Sequence, residues 1–204
     1  MIRIGKLRAS PIFFAVIGFF AIVDGSRFML YTLLSAMLHE LGHLAALRLC
    51  GAPVEEVVLR PFGINIVMGG GRMIGYRQEI AVALAGPLCS AVLAAAPYLW
   101  CVLVRPFEDA LFLSAINAAL TLLNLLPIGD LDGGRALRYA LLLTLSPDTA
   151  EGAFDLVTLL LLVPLSVGAV WLLITTRYNF SLVLVCAYLL ARLVRRRSGS
   201  PAAL

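Results

Sequence analysis

A chain of 204 residues that is 61% hydrophobic and only 14% charged, with a mean hydropathy of +0.97, does not have the composition of a soluble domain. Such domains are about 45–50% apolar and about 25% charged. The net charge of +4 does not indicate nucleic acid, because the cations flank apolar runs rather than lining one face. Cys50, Cys89, Cys101 and Cys186 are dispersed without a C-x-x-C pair, so neither a disulfide framework nor a thiolate zinc site is indicated.

The apolar runs are about 20 residues long, the length that crosses about 30 Å of hydrocarbon. A basic lead (Arg3, Lys6, Arg8) precedes a first span over about residues 11–23, which lacks a small-x-small cleavage site and is expected to stay attached. Asp24 to Arg27 reads as a turn. A second span over about 28–50 ends at Gly51-Ala52-Pro53. Between residues 54 and 78 the pattern changes. Val54–Leu59 and Ile64–Met68 are β-branched and partly alternating, and Gly69-Gly70-Gly71 follows, so a β-hairpin or small sheet is expected there.

The third span, about 80–104, contains Gly86-Pro87 and many alanines, small residues that let helices approach closely in lipid. The fourth starts near Ala110 and breaks at Asn124 and Pro127, followed by the acidic, flexible stretch Ile128 to Gly134. Arg135–Leu145 continues as helix. The fifth span, about 154–175, carries a kink at Pro164, and the sixth, about 180–193, precedes Arg195-Arg196-Arg197 and a tail expected to be disordered. The expected fold class is therefore all-α and polytopic, about six transmembrane helices with a small β-hairpin or sheet inserted after the second. Placing both termini in the cytoplasm leaves only Arg27, Arg105 and Arg177 outside, as the positive-inside rule favours.

The chemistry concentrates in His39-Glu40-Leu41-Gly42-His43, the H-E-x-x-H pattern, which holds both histidines of the chain. Residues four apart share a helix face, so both imidazoles can reach one ion, with Glu40 beside them to act on a water molecule. A histidine in an apolar helix is often only a hydrogen-bonded core residue. In a lipid-spanning helix, however, ionisable groups cost about 2.5–3.5 kcal/mol and are seldom accidental. Catalytic zinc takes three protein ligands and leaves one position open. The second and fourth spans run in the same direction, which brings Asp130 and Asp132 to the depth of the histidines; spacing alone does not choose between these two acids. Asn124 is a candidate for holding substrate backbone or a developing oxyanion, with helix–helix bonding as the competing role.

His39 to His43, Ala85-Gly86-Pro87, and Asn124-Leu125-Leu126-Pro127 followed by Leu131-Asp132-Gly133-Gly134 resemble the site-2 protease family of intramembrane zinc metalloproteases. The resemblance covers residues 28 to about 138. It implies that Asp132, rather than Asp130, joins His39 and His43 as the third ligand of one Zn2+, that Glu40 is the catalytic base, and that one membrane-embedded domain fills residues 1–204. In that reading the catalytic core lies over about 28–138 and the C-terminal helices over about 149–194, without a PDZ or CBS domain. Ser10-Pro11-Ile12-Phe13-Phe14 and Val58 to Gly63 are similar to the stage IV sporulation protein FB branch. This similarity implies a membrane-tethered substrate such as a sporulation pro-sigma factor, inhibitory membrane proteins as further partners, and a bacterial cell or forespore membrane. The competing function is a non-proteolytic metal-binding scaffold or a metal transporter. A transporter would carry polar ligands along several spans, and the spans outside the motifs are nearly bare of them.

Overall fold

The structure is a computed structural model. It describes residues 2–4, 7–9, 27–52, 54–60, 63–68, 74–177 and 180–197, with side chains for 27–52, 74–177, 180 and 182–194. The first expected span, the Gly69-Gly70-Gly71 turn, Ser10 to Phe14 and the tail after Arg197 lie outside the described residues.

In chain order the elements are β1 (Ile2–Ile4), β2 (Leu7–Ala9), α1 (Arg27–Leu49), β3 (Val54–Arg60), β4 (Gly63–Met68), α2 (Tyr76–Leu103), α3 (Glu108–Asn124), α4 (Asp132–Leu142), α5 (Pro147–Thr176) and α6 (Phe180–Arg197). They form two compact units, Met1–Asn124 and Leu125–Leu204.

The expectation of an all-α bundle with about six spans is not met, on two counts. The strands are not confined to one small insertion after the second helix: β1 to β4 form one four-stranded sheet in that order, and the stretch read as a basic cytoplasmic lead supplies two of its strands. β1–β2 and β3–β4 pair antiparallel, whereas β2–β3 pair parallel. A parallel pair needs a long crossover, and the chain from β2 to β3 contains all of α1. A short, cationic lead is easily taken for an unpaired segment, because its partner is more than 40 positions away. The second count concerns the spans. Among the described residues, two helices are both long and apolar enough to cross a membrane, α2 and α5, and within α6 the shorter stretch Leu182–Val194 is apolar. α1 has 23 residues, but Glu40 and two histidines reduce its apolar character, and α4 has only 11.

In the first unit, α1 turns one narrow stripe inward: Ser35, His39, His43 and Leu47, each four residues after the last. α1 stops at Gly51, whose φ of +70° suits a residue without Cβ. Gly42 brings α1 against α2, for a Cβ there would lie 2.8 Å from the Ala85 carbonyl oxygen and 2.9 Å from Cys89 Cβ. α2 begins where the Gln78 side chain accepts from Gly75 N–H at 3.0 Å. α3 is tied to α1 by Asn117, buried, whose Nδ2 donates to Ser35 Oγ at 2.9 Å. At the helix ends, Arg27 pairs with Asp109 at 3.2 Å, and Tyr31 donates to the same carboxylate at 3.1 Å.

In the second unit, Ile128, Leu162, Ala169, Cys186 and Leu189 form the core. Ser146 caps α5 and Pro147 opens it, a position where a missing N–H costs nothing. Large apolar side chains outside both cores are exposed, among them Trp100, Leu103, Trp171, Ile174 and Leu184. Soluble monomers seldom expose so much apolar surface; hydrocarbon accommodates it.

Candidate metal centre

α1 supplies the two imidazoles. Both rings are buried, and the four-residue spacing leaves their planes 79° apart with Nε2 facing Nε2 at 3.2 Å. Each Nδ1 is held from α2: that of His43 donates to the Val82 carbonyl oxygen at 2.8 Å, and that of His39 bonds Ser90 Oγ at 2.9 Å. Metal-binding histidines commonly have their second nitrogen fixed this way. A ring whose Nδ1 donates to a carbonyl carries a lone pair on Nε2. Two lone pairs aimed at one point repel unless a proton or a cation lies between them, so the pair fits a borderline-soft divalent ion such as zinc.

Gly86 makes room for this arrangement. A Cβ on it would overlap His43, at 2.5 Å from Cε1, 2.7 Å from Cδ2 and closer still to Nε2. Glu40 is the next residue after His39 on α1 and is half-buried.

The remaining site candidates belong to other elements. Asn124 is the last residue of α3, half-buried, and its Nδ2 donates to the Leu120 carbonyl at 3.0 Å, one turn back on its own helix. Asp132 belongs to the second unit, where it is the first residue of α4 and is buried. Gly133 and Gly134 hold that helix start tightly, because a Cβ on either would overlap backbone of residues 125–129. Asp130, two positions earlier, is exposed and forms an ion pair with Arg192.

No family model matches the sequence. A zinc metalloprotease of Methanocaldococcus jannaschii is 32% identical over 156 residues, which cover 69% of this chain and 45% of that protein. Stage IV sporulation protein FB of Bacillus subtilis is 29% identical over 136 residues, 65% of this chain and 46% of that protein. The chain thus spans less than half the length of these relatives. Among solved structures, the site-2 protease from Methanocaldococcus jannaschii has the same fold, with a TM-score of 0.63 at 22% identity, covering 96% of this chain and 93% of that one. The chain is similar in sequence to zinc metalloproteases and in fold to a site-2 protease. Its resemblance to the sporulation protein FB branch is likewise one of sequence.

Of the three residues beside the histidines, Val82, Gly86 and Ser90, only Gly86 falls within a motif, Ala85-Gly86-Pro87. Val82 and Ser90 are an aliphatic and a hydroxyl in an apolar helix and give no signal of their own. Gly86 was legible as a small residue for helix packing and as part of Ala85-Gly86-Pro87, not as a neighbour of an imidazole. Its spacing gives the clue, since Val82, Gly86 and Ser90 recur every four positions, one face of α2 directed at the histidine face of α1.

Proposed function

We propose that this chain is an intramembrane zinc endopeptidase that cleaves a peptide bond in or near the membrane segment of a substrate protein. The observation that carries the reading is the convergence of two buried Nε2 atoms, 3.2 Å apart, beside Glu40 in a chain with the fold of a site-2 protease. His39, His43 and Asp132 would hold the zinc. In favour of Asp132, its carboxylate is buried at the start of α4, whereas Asp130 is exposed and pairs with Arg192.

Zinc, when bound, supplies Lewis-acid chemistry that acidifies water and polarises a carbonyl oxygen. Glu40 takes the proton from the water that attacks the scissile carbonyl, and returns it to the departing amine. Asn124 spends one amide N–H on Leu120; its second N–H is the one offered to substrate. A membrane-spanning substrate helix hides its carbonyls in internal bonds and must unwind before cleavage. β4 is the end strand of the sheet and among the described residues pairs only with β3, so its other edge suits an extended peptide.

The substrate is a membrane-tethered protein, and the similarity to sporulation protein FB makes a precursor of a sporulation transcription factor the leading choice, with membrane proteins as its restraint. The chain crosses the bilayer several times with both termini cytoplasmic, in one catalytic domain. Glu40→Gln tests the reading: zinc should stay bound while cleavage of a co-expressed membrane-tethered substrate stops. Undiminished cleavage would sink it.

A further inference from the structure

The turn that leads into α4 is built on the last two helices. Ile128, near its middle, is buried and belongs to the core that Leu162 of α5 forms with Cys186 and Leu189 of α6. Gly129 follows with a φ of +53°, the left-handed conformation that favours glycine, and a Cβ on it would lie 3.4 Å from Leu189 Cδ2. The amides of Ile128 and Leu131 find acceptors inside the turn, the Leu126 carbonyl at 2.8 Å and the Ile128 carbonyl at 3.2 Å. The amide of Gly129 reaches outside it and donates to Thr158 Oγ1 on α5 at 3.3 Å.

Thr158 is buried in a long apolar helix. Ser166 on the same helix turns its hydroxyl back to the Leu162 carbonyl at 2.7 Å, a bond internal to α5. Thr158 Oγ1 receives a bond from outside its helix, as hydroxyls in membrane helices do where they join two segments. Gly129 stands three residues before Asp132, and Gly134 packs back on the same turn, where a Cβ would lie 2.9 Å from the carbonyl carbon and oxygen of Ile128. Without its acceptor the Gly129 amide would be left unsatisfied beside an apolar core unless the turn shifted, and a shift there moves the start of α4.

We propose that Thr158 is a positioning residue: by accepting from the Gly129 amide it fixes the turn, and with it Asp132 at the head of α4, before a metal binds. The proposal rests on the reading of Asp132 as a zinc ligand. For stability alone valine would serve better at this place, having nearly the same shape and no hydroxyl to bury. The apolar contacts of Ile128 hold the turn against α5 and α6 without regard to direction, whereas a hydrogen bond fixes the orientation of the peptide unit that makes it.

The test uses the full chain in lipid discs, with zinc affinity measured by chelator competition and the thermal midpoint of the zinc-free protein measured beside it. Thr158→Val should lower zinc affinity about tenfold with the zinc-free midpoint unchanged or raised, and Thr158→Ser should keep the wild-type affinity. Loaded with Co2+ in place of zinc, Thr158→Val should absorb less strongly in the visible than the wild type, because a displaced carboxylate spoils tetrahedral geometry. In the wild-type chain the Gly129 amide should exchange slowly with solvent whether or not zinc is bound. Wild-type affinity in Thr158→Val, a loss that Thr158→Ser shares, an unchanged cobalt spectrum, or fast Gly129 exchange without zinc would overturn the proposal and leave the zinc reading intact. A wild-type chain that binds no zinc, or full affinity in Asp132→Asn, would overturn both. Should Thr158→Val fail to fold, the Gly129 exchange of the wild type decides the matter alone.

Discussion

Gly86→Ala is the most demanding substitution that the site suggests. It adds one methyl group to α2, outside every sequence motif for metal binding. The new Cβ would lie 2.5 Å from His43 Cε1 and 2.7 Å from Cδ2, whereas ordinary contact begins near 3.4 Å. The ring must therefore withdraw by about 1 Å, several times the roughly 0.2 Å tolerance of a zinc–nitrogen bond. The helices have little freedom to separate instead. α1 already meets α2 through Gly42, with the Ala85 carbonyl 2.8 Å from where a Cβ would be, and moving the ring also strains its bond to Val82. Overpacking of this kind costs about 1–3 kcal/mol in stability. The loss in zinc affinity is expected to be at least about 100-fold, about 2.7 kcal/mol. Chelator competition on the purified chain measures the affinity, and thermal unfolding of the zinc-free protein measures the packing cost. Gly152→Ala is the internal control: nothing lies within 4 Å of a Cβ there, so in the interior of α5 it should be neutral for zinc and stabilise by about 0.5–1 kcal/mol. Wild-type zinc affinity in Gly86→Ala would refute the reasoning.

Asp132→Asn should abolish zinc binding, whereas Asp130→Asn should change affinity by less than about threefold and cost under about 1 kcal/mol through its exposed pair with Arg192; equal losses in the two variants would remove Asp132 from the ligand set. Gly133→Ala should destabilise the protein by at least about 1–3 kcal/mol, because the atoms in its way are the Leu125 and Leu126 carbonyls, which are backbone and cannot rotate aside. Thermal unfolding of the zinc-free chain checks this, and an unchanged midpoint would contradict the close packing at the start of α4.

Much was determined by the sequence alone. Composition indicated a membrane environment, and H-E-x-x-H marked the helix that carries two imidazoles on one face, since the 3.6-residue period acts locally and needs no partner. The helix boundary at Gly51 came out within a residue or two, whereas the helix expected from about residue 154 begins already at Pro147. Other features depended on contacts distant in sequence, and only the tertiary structure decided them. Strand pairing between Leu7–Ala9 and Val57–Leu59 is non-local, so a cationic lead offered no sign that it would join a sheet. Neither a valine nor a glycine announces that its carbonyl or its missing Cβ will meet an imidazole. The H-E-x-x-H pattern placed two nitrogens on one face of α1. It was α2, through Val82, Gly86 and Ser90, that turned those nitrogens toward each other, because a ring's orientation is set by what its far side bonds and by the space left for it.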